Sequence, residues 1–172
     1  MAKIIFILGG ARSGKSSYAI ALAKKGRRKT AFIATCQALD KEMRGRIMLH
    51  QKTRPKDWHT FEEAYNVSGL VNKIGVKFEI IIIDCITLLV SNLMLKGLSA
   101  DAIQKEISSI LAALNKSKAR VIIVSNEVGL GIVPRNKLAR NFRDLAGQVN
   151  QIIASKADEV FFMAAGIPLK IK

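Results

Sequence analysis

The amino-acid sequence predicts an α/β fold: a mostly parallel central sheet flanked by helices, with a C-terminal antiparallel edge strand. Three observations lead to it. Short apolar runs such as Ile80 to Ile83 and Val121 to Val124 recur along the chain, separated by longer segments with helical spacing. That alternation builds parallel sheets from βαβ units. A glycine-rich turn at Gly9 to Gly14 joins the first apolar run to the first helical segment. Finally, Gly166-Ile167-Pro168 reads as a turn, after which Leu169 to Ile171 returns as an edge strand.

Taken in order, strands are expected at Lys3 to Leu8, Thr30 to Ala34, Phe78 to Ile83, Arg120 to Ser125 and Glu159 to Ala164, with a further strand-like stretch at Trp58 to Phe61. Helices are expected at Lys15 to Lys25, Asp40 to Thr53, Glu62 to Lys73, Thr87 to Leu95, Ala100 to Asn115 and Asn136 to Ser155. Gly26 sits where a left-handed cap ends the first helix, and Asp40 and Ser99 suit the N-caps of later ones. No repeat, low-complexity linker or composition break divides the chain. A single domain over residues 1–172 is the expectation.

Within the glycine-rich turn, Gly9-Gly10-Ala11-Arg12-Ser13-Gly14-Lys15-Ser16 matches G-x-x-x-x-G-K-[ST] and follows Ile4-Ile5-Phe6-Ile7-Leu8. A buried strand, a turn and then a helix form the context in which this motif binds phosphate, so the fold is expected to be P-loop NTPase-like. Backbone N–H groups would face the phosphates, Lys15 would reach the terminal ones, and Ser16 is placed to ligate Mg²⁺.

The chain of 172 residues is 49% hydrophobic, yet its apolar stretches are strand-length and far short of a bilayer span. Its N-terminus enters the first strand without a cleavable signal pattern. Cys36 and Cys85 form no CxxC pair or disulfide framework, which agrees with a reducing compartment. A cytoplasmic protein is expected. The formal charge of +15 favours polyanions in general. Aromatics make up only 6% and are not interleaved with the basic runs, so no dedicated nucleic-acid partner is expected, and with no stretch long enough to span a bilayer no membrane partner is expected either. Most of the charge reads as solvated helix faces, whose field would also draw in nucleotides.

Further candidates lie where strands end. Asp84 closes the all-apolar Ile80-Ile81-Ile82-Ile83; it reads either as a carboxylate that holds Mg²⁺ or its water shell, or as a cap for the next helix. Thr35 and Cys36 follow the second strand at the equivalent edge and read equally as functional or as turn residues. In a helix over 40–53, Glu42, Arg46 and His50 share one face, with Arg54 continuing the row before Pro55. Flanking guanidinium groups would disfavour the imidazolium and leave a ring nitrogen free as a nucleophile. Spacing alone leaves a second reading open, a surface helix with a Glu42–Arg46 pair and an incidental histidine.

The P-loop, Ile33-Ala34-Thr35, the stretch from Asp40 to Trp58, Ser125-Asn-Glu-Val-Gly-Leu-Gly-Ile-Val-Pro134 and Phe142-Arg-Asp-Leu-Ala-Gly-Gln-Val-Asn150 occur in that order. Together with Ala157-Asp-Glu-Val160 and Gly166-Ile-Pro-Leu-Lys170, they resemble the bifunctional adenosylcobinamide kinase / adenosylcobinamide-phosphate guanylyltransferase family along essentially the whole chain. The resemblance implies phosphorylation of adenosylcobinamide from ATP or GTP, then transfer of GMP from GTP to the resulting phosphate, giving adenosylcobinamide-GDP and pyrophosphate. It implies His50 as the guanylyl-carrying nucleophile beside Lys15. Nucleotide contacts are implied at Gly9, Gly10, Ala11, Arg12, Ser13, Gly14, Lys15, Ser16, Ala34, Thr35, Cys36, Gln51, Lys52, Thr53, Arg54, Glu62 and Asp84. Ser16 and Asp84 are the implied Mg²⁺ residues, and a homotrimer is implied. Three departures accompany the match: Leu49 rather than a second histidine precedes His50, Asp84 occupies a position that also takes Glu, and Cys36 stands where Ser is common. Glu127 reads either as acting on the corrinoid hydroxyl or as part of a structural loop. Two other classes compete with this reading, a small-molecule kinase without nucleotidyl transfer and a basic P-loop ATPase acting on nucleic acid.

Overall fold

The computed structural model describes residues 2–25, 28–37, 44–45, 48, 51 and 54–172. Among them, seven strands form one sheet: β1 Lys3–Gly9, β2 Thr30–Ala34, β3 His59–Glu62, β4 Ile80–Asp84, β5 Arg120–Val124, β6 Glu159–Ala164 and β7 Ile167–Lys170. The described helices are α1 Lys15–Ala23, α2 Val67–Ile74, α3 Ile86–Leu95, α4 Ala100–Asn115 and α5 Lys137–Lys156. The spatial order is β3-β2-β4-β5-β1-β6-β7. All neighbours pair in parallel except β6 with β7, the expected antiparallel edge.

Strands covered on both faces need side chains that suit burial on both, hence continuous apolar runs rather than alternation. In β4, Ile80 and Ile82 pack on the α1 side with Ala19, Leu22 and Ala23. Ile81 and Ile83 pack on the opposite side with residues from α2, α3, α4 and α5. β5 divides in the same way, with Ile122 and Val124 toward α1 and Val121 and Ile123 toward the four-helix layer.

Local chemistry sets the helix ends. Ser99 accepts from the Ala102 N–H to open α4, whose Ile103, Ile107, Ile110, Leu111 and Leu114 line its buried face. Asn136 accepts from Leu138 and Ala139 N–H groups to open α5, one residue after the predicted start. α2 begins at Val67 rather than at Glu62. Glu62 instead closes β3 opposite Ala34, and the Glu63 carboxylate accepts from the Tyr65 and Asn66 N–H groups, making the turn that precedes the helix. The strand read at Phe78 to Ile83 shifts to Ile80–Asp84, so Asp84 is itself the last sheet residue. Of the helix predicted over 40–53, Arg44, Gly45, Met48 and Gln51 are described and helical. The Asp40 cap, Glu42, Arg46 and His50, and the Gly26 cap, lie outside the described residues.

Ile123 is fully buried between β4 and β1. Ile123→Ala should cost about 2–5 kcal/mol, read as a lower denaturant midpoint with an unchanged slope.

Candidate active site

The parallel strands deliver four connections to one edge of the sheet: the P-loop after β1, Thr35-Cys36 after β2, Asp84-Cys85 at the end of β4, and Ser125 to Glu127 after β5. β1 leads to β2 on one side while β5 crosses to β6 on the other, so the P-loop strand lies at the switch in strand order where α/β folds place ligands.

Two glycines make the P-loop possible. Gly9 has φ 153°, and a Cβ there would stand 2.6 Å from the Met163 carbonyl oxygen. Gly14, at φ 91°, is the N-cap of α1. The loop is tied to its neighbours by the Gly166 N–H donating to the Ser13 carbonyl at 3.1 Å and the Glu127 N–H donating to the Gly9 carbonyl at 3.0 Å. Lys15 Nζ donates to the Gly10 carbonyl at 2.6 Å and lies 3.5 Å from Ser13 Oγ. Its side chain is buried, and that burial lowers its pKa, against the opposing influence of Cys85 and Asp84. Ser16, at the start of α1, is half-buried.

Thr35 resolves the ambiguity left by its position in the sequence. It is fully buried, its Oγ1 donates to the Cys85 carbonyl at 2.6 Å and accepts from the Cys85 N–H at 2.8 Å, and its own N–H donates to the Asp84 carbonyl at 3.2 Å. Asn92 Nδ2 then donates to the Thr35 carbonyl at 2.8 Å and the Ala64 carbonyl at 3.2 Å. The ends of β2, β3 and β4 are thereby joined through two buried side chains. Asn92 was not singled out beforehand, although a lone amide within Ile86-Thr-Leu-Leu-Val-Ser-Asn-Leu-Met-Leu95 was a signal available in the sequence.

Asp84 is half-exposed at the tip of β4. Its charge raises the pKa of Lys15 and Arg54 against burial, and adds to burial in raising the Cys36 and Cys85 thiols, Cys85 to about 12. The Arg54 guanidinium lies 3.9 Å from the centre of the Phe32 ring. Its Nε and Nη1 are buried without a hydrogen-bond partner among the described residues. Beside it opens a cleft of 470 Å³ lined by Cys36, Gln37, Arg44, Met48, Gln51, Glu62, Glu63 and Ala64. Gln51 Nε2 donates to Glu62 Oε1 at 3.1 Å across it.

The structure therefore gathers the P-loop, Ala34, Thr35, Cys36, Gln51, Arg54, Glu62 and Asp84 at one edge. His50, Lys52 and Thr53 lie outside the described residues. The Asn126 loop is held from below: the Asn126 N–H donates to Thr87 Oγ1 at 2.6 Å, and Asn150 Nδ2 donates to the Asn126 carbonyl at 3.2 Å. Glu127 Oε1 accepts from the Gly129 N–H at 2.7 Å, which gives this residue a structural role within its own loop.

Residues 5–171 match the family described as cobinamide kinase / cobinamide phosphate guanyltransferase. The chain belongs to that family. It is 41% identical over 181 residues to the bifunctional adenosylcobalamin biosynthesis protein CobU of Escherichia coli, covering 98% of this chain and 99% of the relative. It is 42% identical over 181 residues to CobU of Salmonella typhimurium, with the same coverage, and 39% identical over 166 residues to CobP of Pseudomonas aeruginosa, covering 96% and 95%. Among solved structures, a KaiC-like protein of Pyrococcus horikoshii aligns with TM-score 0.56 at 12% identity, over 93% of this chain and 70% of its own; that likeness concerns the P-loop NTPase-like fold. Kinase and nucleotidyltransferase activity in cobalamin biosynthesis follows from the family membership.

Because Lys15 is held below its ordinary pKa chiefly by burial, a bound phosphate favours its protonated form. Tripolyphosphate affinity should fall as pH rises through that lowered value, below the ordinary lysine range, and the fall should be absent in Lys15→Met. Calorimetric titration across alkaline pH checks this.

Proposed function

We infer that the chain phosphorylates the hydroxyl of adenosylcobinamide from ATP or GTP at the P-loop, then transfers GMP from GTP through His50. What carries the second step is the pairing of an open cleft with unsatisfied cationic donors. Gln51 directly follows His50 in the sequence and lines the cleft, while Arg54, three residues further on, presents buried N–H groups without a partner among the described residues, under the influence of Asp84. An arginine with free donors is suited to an anionic phosphate chain.

The chemistry favours a histidine over the nearby thiols. Cys85 and Cys36 are held protonated by burial and by Asp84, and a thiol without its thiolate is a poor nucleophile. A neutral imidazole attacks the α-phosphorus of GTP; a P–N bond forms, the P–O bond to pyrophosphate breaks, and Lys15 with Arg54 balances the departing charge. The phosphate of adenosylcobinamide phosphate then attacks the same phosphorus, the P–N bond breaks, and adenosylcobinamide-GDP leaves.

The nucleotide contacts of this reading are Gly9 to Ser16, Ala34, Cys36, Gln51 to Arg54, Glu62 and Asp84; Thr35, fully buried with its polar groups bonded to Asp84, Cys85 and Asn92, is corrected from contact to backbone support. Among the described residues no group of three or more His, Cys, Asp or Glu forms a metal cage. The Ser16 hydroxyl and the Asp84 carboxylate are hard oxygen donors of the kind that Mg²⁺ takes in ones and twos alongside phosphates and water. Those two residues would hold Mg²⁺, which would neutralise phosphate charge. Free cysteines and a dependence on nucleoside triphosphates are in keeping with a cytoplasmic site of action.

We also assign a homotrimer, supported by the apolar tip of the Asn126 loop, where Ile132 is 96% exposed beside Leu130 and Val133. Ile132→Asp should shift the mass measured by light scattering toward monomer.

Mg²⁺ and GTP labelled at the α-phosphate should leave acid-labile, base-stable label on wild-type protein and none on His50→Ala. Label retained on His50→Ala would overturn the nucleophile assignment, and no label on wild type that still binds GTP would reduce the second step to one without a covalent intermediate.

A further inference from the structure

The amino-end edge of the sheet, opposite the active site, holds a second concavity, a cleft of 740 Å³ around the starts of β1, β2, β4 and β5. Lys3, Arg28, Lys29, Lys77, Lys118 and Arg120 surround it, and Glu79 is the one carboxylate among its lining residues. Lys3 is paired with Glu159 at 2.7 Å, and Glu79 accepts from the Lys29 N–H at 3.1 Å. The other cations carry the uncompensated charge. Around the cleft the same edge adds Lys24 and Lys25 after α1, Lys73 in the last turn of α2 and Lys156 in the last turn of α5, all exposed.

A structural cause accounts for part of this. α1, α2, α4 and α5 end at this edge, and cations suit helix C-termini. Each terminus carries only about half a negative charge, so four of them offset roughly two cations, fewer than this edge gathers. Even with Glu159 paired to Lys3 and Asp158 beside it at the start of β6, the edge keeps a net positive field that favours an external anion.

The composition of the edge indicates which one. Lysine predominates over arginine, giving mobile, hydrated point charges rather than planar forks for fixed phosphates or base edges. Phe78, the aromatic residue of the cleft, is buried beneath Lys29, whose Nζ lies 5.2 Å from the ring centre, so it offers no platform for base stacking. Val76, by contrast, is 84% exposed at the mouth of the cleft, next to Lys77 and near Lys73. An apolar side chain projecting from a lysine-rich surface is the pairing used by proteins that lie on membrane interfaces.

We propose that this edge docks the enzyme on an anionic phospholipid surface, with the lysines over the headgroups and Val76 at the acyl boundary. The active site at the opposite edge then faces the aqueous phase. This departs from the expectation of no membrane partner, which rested on the lack of a spanning segment. Charge-driven docking requires none, and no helix among the described residues is long and apolar enough to cross a bilayer.

The test is co-sedimentation of the full chain with phosphatidylcholine vesicles, with and without phosphatidylglycerol. Binding should require phosphatidylglycerol at about 0.1 M salt and be released at about 0.5 M. The exposed pair Lys77→Glu/Lys118→Glu should weaken partitioning roughly tenfold or more while kinase activity is unchanged. The uncharged Val76→Ser should weaken vesicle binding several-fold and leave heparin binding intact. Failure to bind anionic vesicles, or binding undiminished in the double variant, overturns the proposal. Vesicle binding as strong in Val76→Ser as in the wild type also overturns it, in favour of a general polyanion site.

Discussion

The site depends on the register of the parallel ladder. Ala34, Asp84 and Val124 are aligned across β2, β4 and β5, and Val124 is aligned in turn with Ile7 of β1. A slip of one residue would exchange the two buried faces of a strand. In β4 it would also draw Asp84 toward the apolar interior, where an unpaired carboxylate is costly. The wholly apolar run Ile80 to Ile83 thus does two things at once: it fixes the register, and it stops where the carboxylate can meet the surface. Neighbouring strands are about 4.8 Å apart, so β4 and β1, separated by β5, stand roughly 10 Å apart. The long side chain of Lys15 bridges that interval closely enough to respond to Asp84.

Asp84 then divides the surrounding groups by charge. It favours the cationic forms of Lys15 and Arg54, which burial would otherwise weaken, and it disfavours the thiolates of Cys36 and Cys85. Burial is the main reason the two thiols stay protonated, and this one carboxylate adds to it while partly offsetting the effect of burial on the two cations. The Thr35–Cys85 hydrogen-bond pair and Asn92 hold the backbone on both sides of it. Their influence on the chemistry is positional: they touch the main chain at the ends of β2, β3 and β4, while the cleft itself is lined by Cys36, Gln51 and Glu62.

The P-loop, the apolar strands and the antiparallel return were legible because each depends on local patterns: glycines where a side chain cannot fit, four consecutive isoleucines, and a glycine at the reversal. The turn itself is made by Ala165 and Gly166, both at positive φ, so that Ile167 and Pro168 already pair in β7 rather than forming the turn expected at Gly166-Ile167-Pro168. Ser99 was legible from local pattern too, since a cap acts within three residues, whereas Asn136 was read as the first helical residue and proves to be the cap. What was not legible depends on partners distant in sequence. Glu62 reads as a helix start until it is seen opposite Ala34 in a parallel edge pair. Thr35 reads equally as a functional or a turn residue until Cys85, fifty positions on, supplies both hydrogen bonds of its hydroxyl. Asn92 makes sense only when β2 and β3 lie side by side above it. The lysines were read as solvated faces of separate helices, because nothing in helical periodicity reveals that several helices end at one edge.

That last point bears on what the positive charge does. A general field that draws nucleotides toward the site would have to act from the amino-end edge across the length of a strand. β4 is five residues long, which at about 3.3 Å per residue places the two edges roughly 15 Å apart. Through the solvent around the sheet, the field of these exposed lysines decays with a screening length of about 8 Å at physiological salt. The lysine-rich edge consequently contributes little to nucleotide capture. In the proposed reading that task falls to Lys15, Arg54 and the P-loop amides, which lie at the carboxyl-end edge. The charge at the opposite edge belongs to a separate interaction, able to change by substitution without disturbing the chemistry.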